Sequence, residues 1–186
     1  MITPNPTDAW NLLCEWTEGP RLRTHAQAVA ACMRWYAKHQ GQDADYWEVC
    51  GLLHDFDYEK HPSAEEHPTV GINHLRSLGY PEDILEAIAG HALYLEVPRV
   101  TPMAKALFAV DELSGMIMAV AYTRPNRTMA EVTVESVLKK IKDKTFAKGV
   151  NREDVYLGVE ELGITLEEHI GNCIEALKVA HEKLGV

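Results

Sequence analysis

KALFAVDELSGMIMAV, residues 105–120, is the stretch on which the fold turns. It is apolar on nearly every side of a helix, and a helix of that kind is buried. One carboxylate, Asp111, sits in its middle with Glu112 beside it. An unpaired buried carboxylate is very costly. No Lys or Arg stands three or four residues away on this helix, since Lys105 and Arg124 are both too distant. Asp111 therefore needs a cation from elsewhere, and a metal ion would supply the missing charge.

Outward from this helix the 3.6-residue period recurs almost throughout. Thr7 caps an expected helix over 8–18, closed by Gly19-Pro20, and a second runs from 21 to 40 with Gly41 after it. Asp43 caps a third, carrying Tyr46, Val49, Cys50, Leu52 and Leu53. Ser63 and Glu66 have capping-box spacing for a fourth that ends near 78–79, and Pro81 suits the first turn of a fifth over 82–93. Thr101-Pro102 opens the long helix through Tyr122. Thr133 or Thr128 starts another that ends near 146–148, Asn151 caps a short one, and Thr165 with Glu168 opens the last, to Leu184. Strand signals are weak: VTVESV alternates briefly, then runs into LKKIKDKTF at helical spacing. The expectation is an all-α chain, one domain over 1–186, built as a bundle of eight or nine helices.

A chain of 186 residues with 46% apolar content can bury a core without disulfides or a structural metal. A metal here is therefore expected to serve function. The net charge of −10 argues against long nucleic acid as a partner. Four cysteines, none in a C-x-x-C pair, read as small buried hydrophobes in a reducing compartment. The start, MITPNPTDAW, lacks a basic and then apolar leader pattern, and no apolar run approaches the roughly 20 residues of a membrane span. The expectation is a cytoplasmic protein with no membrane partner.

Other metal-ligand residues fall at helix ends. His25 lies near the start of the second helix, in RLRTHAQAVAACM, and His54-Asp55 close the third, in GLLHDFDYEKHP. Two imidazoles with two carboxylates suit a divalent Mn, Fe, Co, Ni or Zn. The lack of thiolate ligands argues against a closed structural zinc site and leaves positions open for water and a substrate oxygen.

His25, then His54-Asp55, then Asp111 resembles the H…HD…D pattern of the HD-domain metal-dependent phosphohydrolases, and RTHAQAVA, CGLLHDFD and LFAVDEL match the words around it. The resemblance covers 20–122 and leaves 123–186 as a C-terminal helical extension. It implies an HD-type helical bundle in which His25, His54, Asp55 and Asp111 hold a catalytic ion. In two-metal relatives, histidines between the HD pair and the last Asp bind a second ion with the HD aspartate bridging. His67 and His91 occupy such positions, and one or two ions per chain stay open. The simplest reading of His74 is a partly buried helix histidine, and of His39, His61, His169 and His181 surface residues. The cyclic-dinucleotide signature is not reproduced, because GYP at 79–81 precedes His91. Some monophosphatase relatives carry Glu three residues after the HD aspartate. Tyr58 stands there instead, which leaves Asp57 or His91 to move the proton and Lys60 to contact phosphate.

Residues 121–152 hold eight cationic against three acidic side chains, a surplus of five that leaves the remainder at −15. Such a segment focuses field on an anionic substrate. Arg124 and Arg127 would line the mouth of the site, with Lys140 and Lys144 on one helical face as further phosphate contacts. A solvated basic face or a homodimer contact is the plainer alternative. The leading expectation is metal-dependent hydrolysis of a small phosphate ester or anhydride, a nucleotide first among the candidates. A di-iron oxygenase of the same fold and a non-catalytic nucleotide- or metal-binding module are the alternatives.

Overall fold

The computed structural model describes residues 2–186 and is all-helical. In chain order the helices are α1 (Pro6–Trp16), α2 (Pro20–His39), α3 (Ala44–Leu53), α4 (Thr69–Ser77), α5 (Glu82–His91), α6 (Pro102–Tyr122), α7 (Val134–Lys142), α8 (Arg152–Leu162), α9 (Leu166–Val179) and α10 (His181–Leu184). Two 3-10 turns, Leu93–Leu95 and Met129–Glu131, complete the described secondary structure.

Helix α6 is the centre. Fourteen of its 21 residues are buried, and α2, α5, α7, α8 and α9 all pack on it. Two contacts are close enough to require glycine. A Cβ on Gly158 of α8 would stand 2.6 Å from the Cα of Ala109 in α6, and one on Gly51 of α3 equally close to the Cα of Ala30 in α2. Helix backbones approach this tightly only where one partner lacks a side chain.

The boundaries differ from expectation where the cap comes from elsewhere. Helix α1 starts two residues earlier, because Asn5 rather than Thr7 accepts the Asp8 amide. The Ser63–Glu66 spacing does not open α4: 63–68 is a turn, and α4 begins at Thr69. Its third amide, Gly71, is capped by the distant carboxylate of Asp57 at 2.7 Å. Helix α7 closes at Lys142, well before Phe146. The last expected helix breaks at Ala180 into α9 and α10.

The guanidinium of Arg152 explains the shortened α7. It donates to the carbonyl oxygens of Ile141, Asp143, Phe146, Ala147 and Val150, gathering the whole α7–α8 loop around one side chain.

His169 is a second correction. It is fully buried, not on the surface. The Tyr36 hydroxyl lies 2.6 Å from its Nδ1, and its Nε2 lies 2.8 Å from the Ala109 carbonyl oxygen. The neutral tautomer protonated at Nε2 satisfies both contacts. Burial pushes its pKa down to about 4.

Candidate metal centre

Five segments bring their polar residues to one place. Asp43 caps α3 through the amides of Asp45 and Tyr46, and α3 runs buried to Leu53. The chain stays in a right-handed helical turn at His54 (φ −60°, ψ −37°), so His54 and Asp55 are delivered directly off the helix end. Helix α2 supplies His25, α6 supplies Asp111, α5 ends on His91, and the turn before α4 carries His67. The carboxylate of Glu59 takes the Glu18 and Gly19 amides at the start of α2 and so ties the chain after the HD pair to the helix that bears His25.

The imidazoles are oriented alike. His54 Nδ1 donates to the Gly51 carbonyl at 2.8 Å, His91 Nδ1 to that of Ile88, and His67 Nδ1 to Asp57 Oδ1 at 2.7 Å. With the proton on Nδ1, each Nε2 presents a lone pair, the arrangement that metal-ligating histidines adopt. Those nitrogens converge on carboxylates. His54 Nε2 is 3.5 Å from both Asp55 Oδ2 and Asp111 Oδ1. His25 Nε2 is 2.9 Å from Asp111 Oδ1. His67 and His91 Nε2 lie 3.3 and 3.1 Å from Asp55 Oδ1.

The donor atoms form two triads, His25–His54–Asp55 and Asp55–His67–His91, each with its atoms within 4.8 Å of one another. Asp55 belongs to both. The fit of this set to a cation rests on His54: its Nε2 is buried and hydrogen-bonds to nothing. A buried nitrogen left unpaired costs about 1–3 kcal/mol. Among the described residues neither Asp55 nor Asp111 pairs with Lys or Arg.

Without an ion the histidines must serve as the cations. Burial opposes charge on His54, but Asp55 and Asp111 outweigh it and raise its pKa well above the usual value. His67, likewise opposed by burial and favoured by Asp55 and Asp57, is pushed up to about 9. Burial works against the charged forms of Asp55 and Asp111 too, yet the imidazoles hold both below the ordinary carboxylate range. Glu112 goes the other way: burial and the neighbouring Asp111 charge push it up to about 7.

The remaining expected site residues fall elsewhere. Asp57, expected as a proton-transferring acid, has both carboxylate oxygens engaged. It is 1% exposed, with one oxygen on His67 and the other on the Gly71 amide. Lys60 turns away to α1, donating to the Glu15 carbonyl and lying 5.1 Å above the Trp16 ring. It completes the carbonyl end of α1, where a cation is favoured. Arg124 and Arg127 follow the last turn of α6, and Tyr122 is already about 16 Å along the axis from Asp111 at 1.5 Å per residue. Lys140 lies 4.5 Å over the Phe146 ring and 3.8 Å from Asp143. Lys144 is exposed on the α7–α8 loop, which ends where the Asn151 amide donates to Glu112 Oε2 at 3.1 Å, one residue from Asp111. His74 packs half-buried between Trp16 and Phe56.

Three neighbours of the cluster were not read as site residues from the sequence. Glu112 is one, and the others are tyrosines at its rim. Tyr94, just after His91, donates to the His67 carbonyl at 2.7 Å with its ring half exposed. The Tyr58 ring stands edge-on to that of His67 at 5.2 Å, also partly in solvent. Only their adjacency to His91 and to the HD pair marks them.

Among the described residues no helix is long and apolar enough to cross a membrane. The family model for the HD domain matches residues 22–116, just over half of the chain. None of the curated proteins matches it.

Proposed function

The chain belongs to the HD-domain family, and from that premise we propose that it hydrolyses a phosphate ester or anhydride in a small phosphorylated metabolite, using two divalent transition ions. The observation that carries this reading is the pair of histidine triads sharing Asp55, with His54 Nε2 buried and unpaired between two carboxylates. His25, His54 and Asp111 would hold one ion, His67 and His91 the other, with Asp55 between them. Manganese, iron, cobalt, nickel and zinc all suit a donor set of imidazoles and carboxylates. When bound, such ions neutralise phosphoryl charge and acidify water.

The chain's own residues do the rest. The Nδ1 contacts of His54, His67 and His91 fix the ring orientations in advance, so no reorganisation is needed as charge develops. Asp57 holds His67 and, through Gly71, the start of α4. Tyr58 and Tyr94 offer exposed aromatic faces beside the His67–His91 triad, which supports a substrate with a planar group such as a nucleobase. Lys144 gives the α7–α8 loop a positive charge to meet the phosphate.

The test is metal content by plasma mass spectrometry on untagged protein beside Asp55→Ala, with a panel of phosphomonoesters, diesters and nucleoside triphosphates assayed under each metal. We expect two ions per chain, both lost in the variant, and turnover lost with them. An Asp55→Ala protein that kept its ions and activity would remove the assignment. An iron pair with a mixed-valence paramagnetic signal and no hydrolysis would favour the oxygenase instead, and ligand binding without turnover under any metal the binding module.

A further inference from the structure

Arg99, in the loop that leads into α6, reaches both halves of the centre from behind. Its Nη1 donates to the carbonyl oxygen of Gly90, the residue before His91, at 2.8 Å. That carbonyl sits in the last turn of α5, where the helix offers it no partner. The Nε and Nη2 groups donate to the two carboxylate oxygens of Glu161 on α8 at 2.7 and 2.5 Å. This is the fork-on-fork pairing that arginine alone provides. The guanidinium carbon lies 3.8 Å above the ring of Phe108, three residues before Asp111 on α6. The Arg99 side chain is only 9% exposed, and a Cβ on Gly90 would stand 2.9 Å from its Cγ.

The start of α8 makes a matching contact on the other side. The Asn151 amide donates to Glu112, next to Asp111. Helix α8 therefore touches the neighbour of Asp111 through its N-cap residue and, through Glu161 and Arg99, the neighbour of His91 at its last turn. Both polar bridges run from residues beyond 116, outside the part of the chain that the family model matches.

We infer that Arg99, anchored by Glu161, is a positioning residue that sets the affinity of the ion held by His91. The inference rests on the two-ion reading. A ligand nitrogen works only within a narrow range of position, and losing an outer contact of this type costs about 10–100-fold in metal affinity. Arg99 acts on the backbone that carries His91, whereas the imidazole's own Nδ1 is held by Ile88. Lysine cannot replace it, because one ammonium cannot fork onto Glu161 and reach the Gly90 carbonyl together.

The experiment titrates metal-free wild type, Arg99→Lys, Glu161→Gln and His91→Ala with manganese, following each ion's affinity by calorimetry and the melting temperature in parallel. His91→Ala identifies its ion by losing it. Arg99→Lys should weaken that same ion by about 10–100-fold and leave the other at its wild-type affinity. Glu161→Gln should shift it in the same direction by less. Loss of both ions together with the melting transition means a merely structural role and overturns the inference. Retention by Arg99→Lys of an ion that His91→Ala loses overturns it alone. If His91→Ala keeps the wild-type metal content, the two-ion reading has failed and the inference falls with it. Should Arg99→Lys not fold, Glu161→Gln decides: selective weakening supports the role of Arg99, and unchanged affinity overturns it.

Discussion

His54 and His169 are equally buried, and they have opposite chemistry. His169 lies where α9 packs on α2 and α6, with a partner on each ring nitrogen, and burial drives its pKa down to about 4. His54 lies at the end of α3 with one nitrogen satisfied and the other orphaned between two carboxylates, and its pKa is driven up. Burial alone therefore does not separate a structural histidine from a functional one. The unfilled hydrogen-bonding capacity does. A buried polar group without a partner calls for an explanation, and two carboxylates beside this one point to a cation.

The largest expected effect is on the His54 side. His54→Ala should lower turnover by about 10³-fold or more, since catalysis rests on the ion's charge, and should lose the ion that His25 shares. Metal analysis and steady-state kinetics check both, and normal metal content in this variant would erase the contrast with His169.

On the other side, His169→Phe should keep its metal and lose stability. Leaving the Tyr36 hydroxyl without its acceptor costs about 1–3 kcal/mol, read by denaturant melts. The pH dependence sharpens the distinction. Because folding lowers the His169 pKa, its contribution is complete above the unfolded value of about 6.5 and falls away as pH drops toward 4, by roughly 3 kcal/mol in all. His169→Phe should flatten that part of the stability profile, and an unchanged profile would mean that His169 is not held neutral.

The smallest expected effect lies between the two. Asp57→Asn sets an amide against two N–H donors, His67 Nδ1 and the Gly71 amide, where only one can be served. The ion held by His67 should weaken by about 10–100-fold, measured by metal titration, with His54's ion preserved. Equal loss of both ions would show that Asp57 supports the turn as a whole.

What the sequence disclosed follows the range of the forces involved. The buried helix of α6 was legible because helical period is local, and His25, His54, Asp55 and Asp111 stood out by residue type, which the fold brings together. The opening of α4 was not, because its cap is Asp57, fourteen residues back and brought in by tertiary structure. His169 looked like a surface residue because its partners, Tyr36 and Ala109, are 133 and 60 residues away. The partners of the basic segment were hidden for a related reason. Charge can be counted in a sequence, but Arg152 spends its charge on the carbonyls of its own loop and Lys140 on a nearby ring and carboxylate.

That loop has one more consequence, for the lifetime of the chain among proteases. Lys144 and Lys148 stand exposed on a segment without regular structure, which is where trypsin-like enzymes cut. Cleavage requires the backbone to be drawn out into an extended stretch, and here the backbone is clasped by a guanidinium through four of its carbonyls and that of Ile141 in α7. The clasp is anchored at the first residue of α8, the helix whose N-cap amide contacts Glu112 beside Asp111. An apparently open nicking site is thereby tied to the opening of the core.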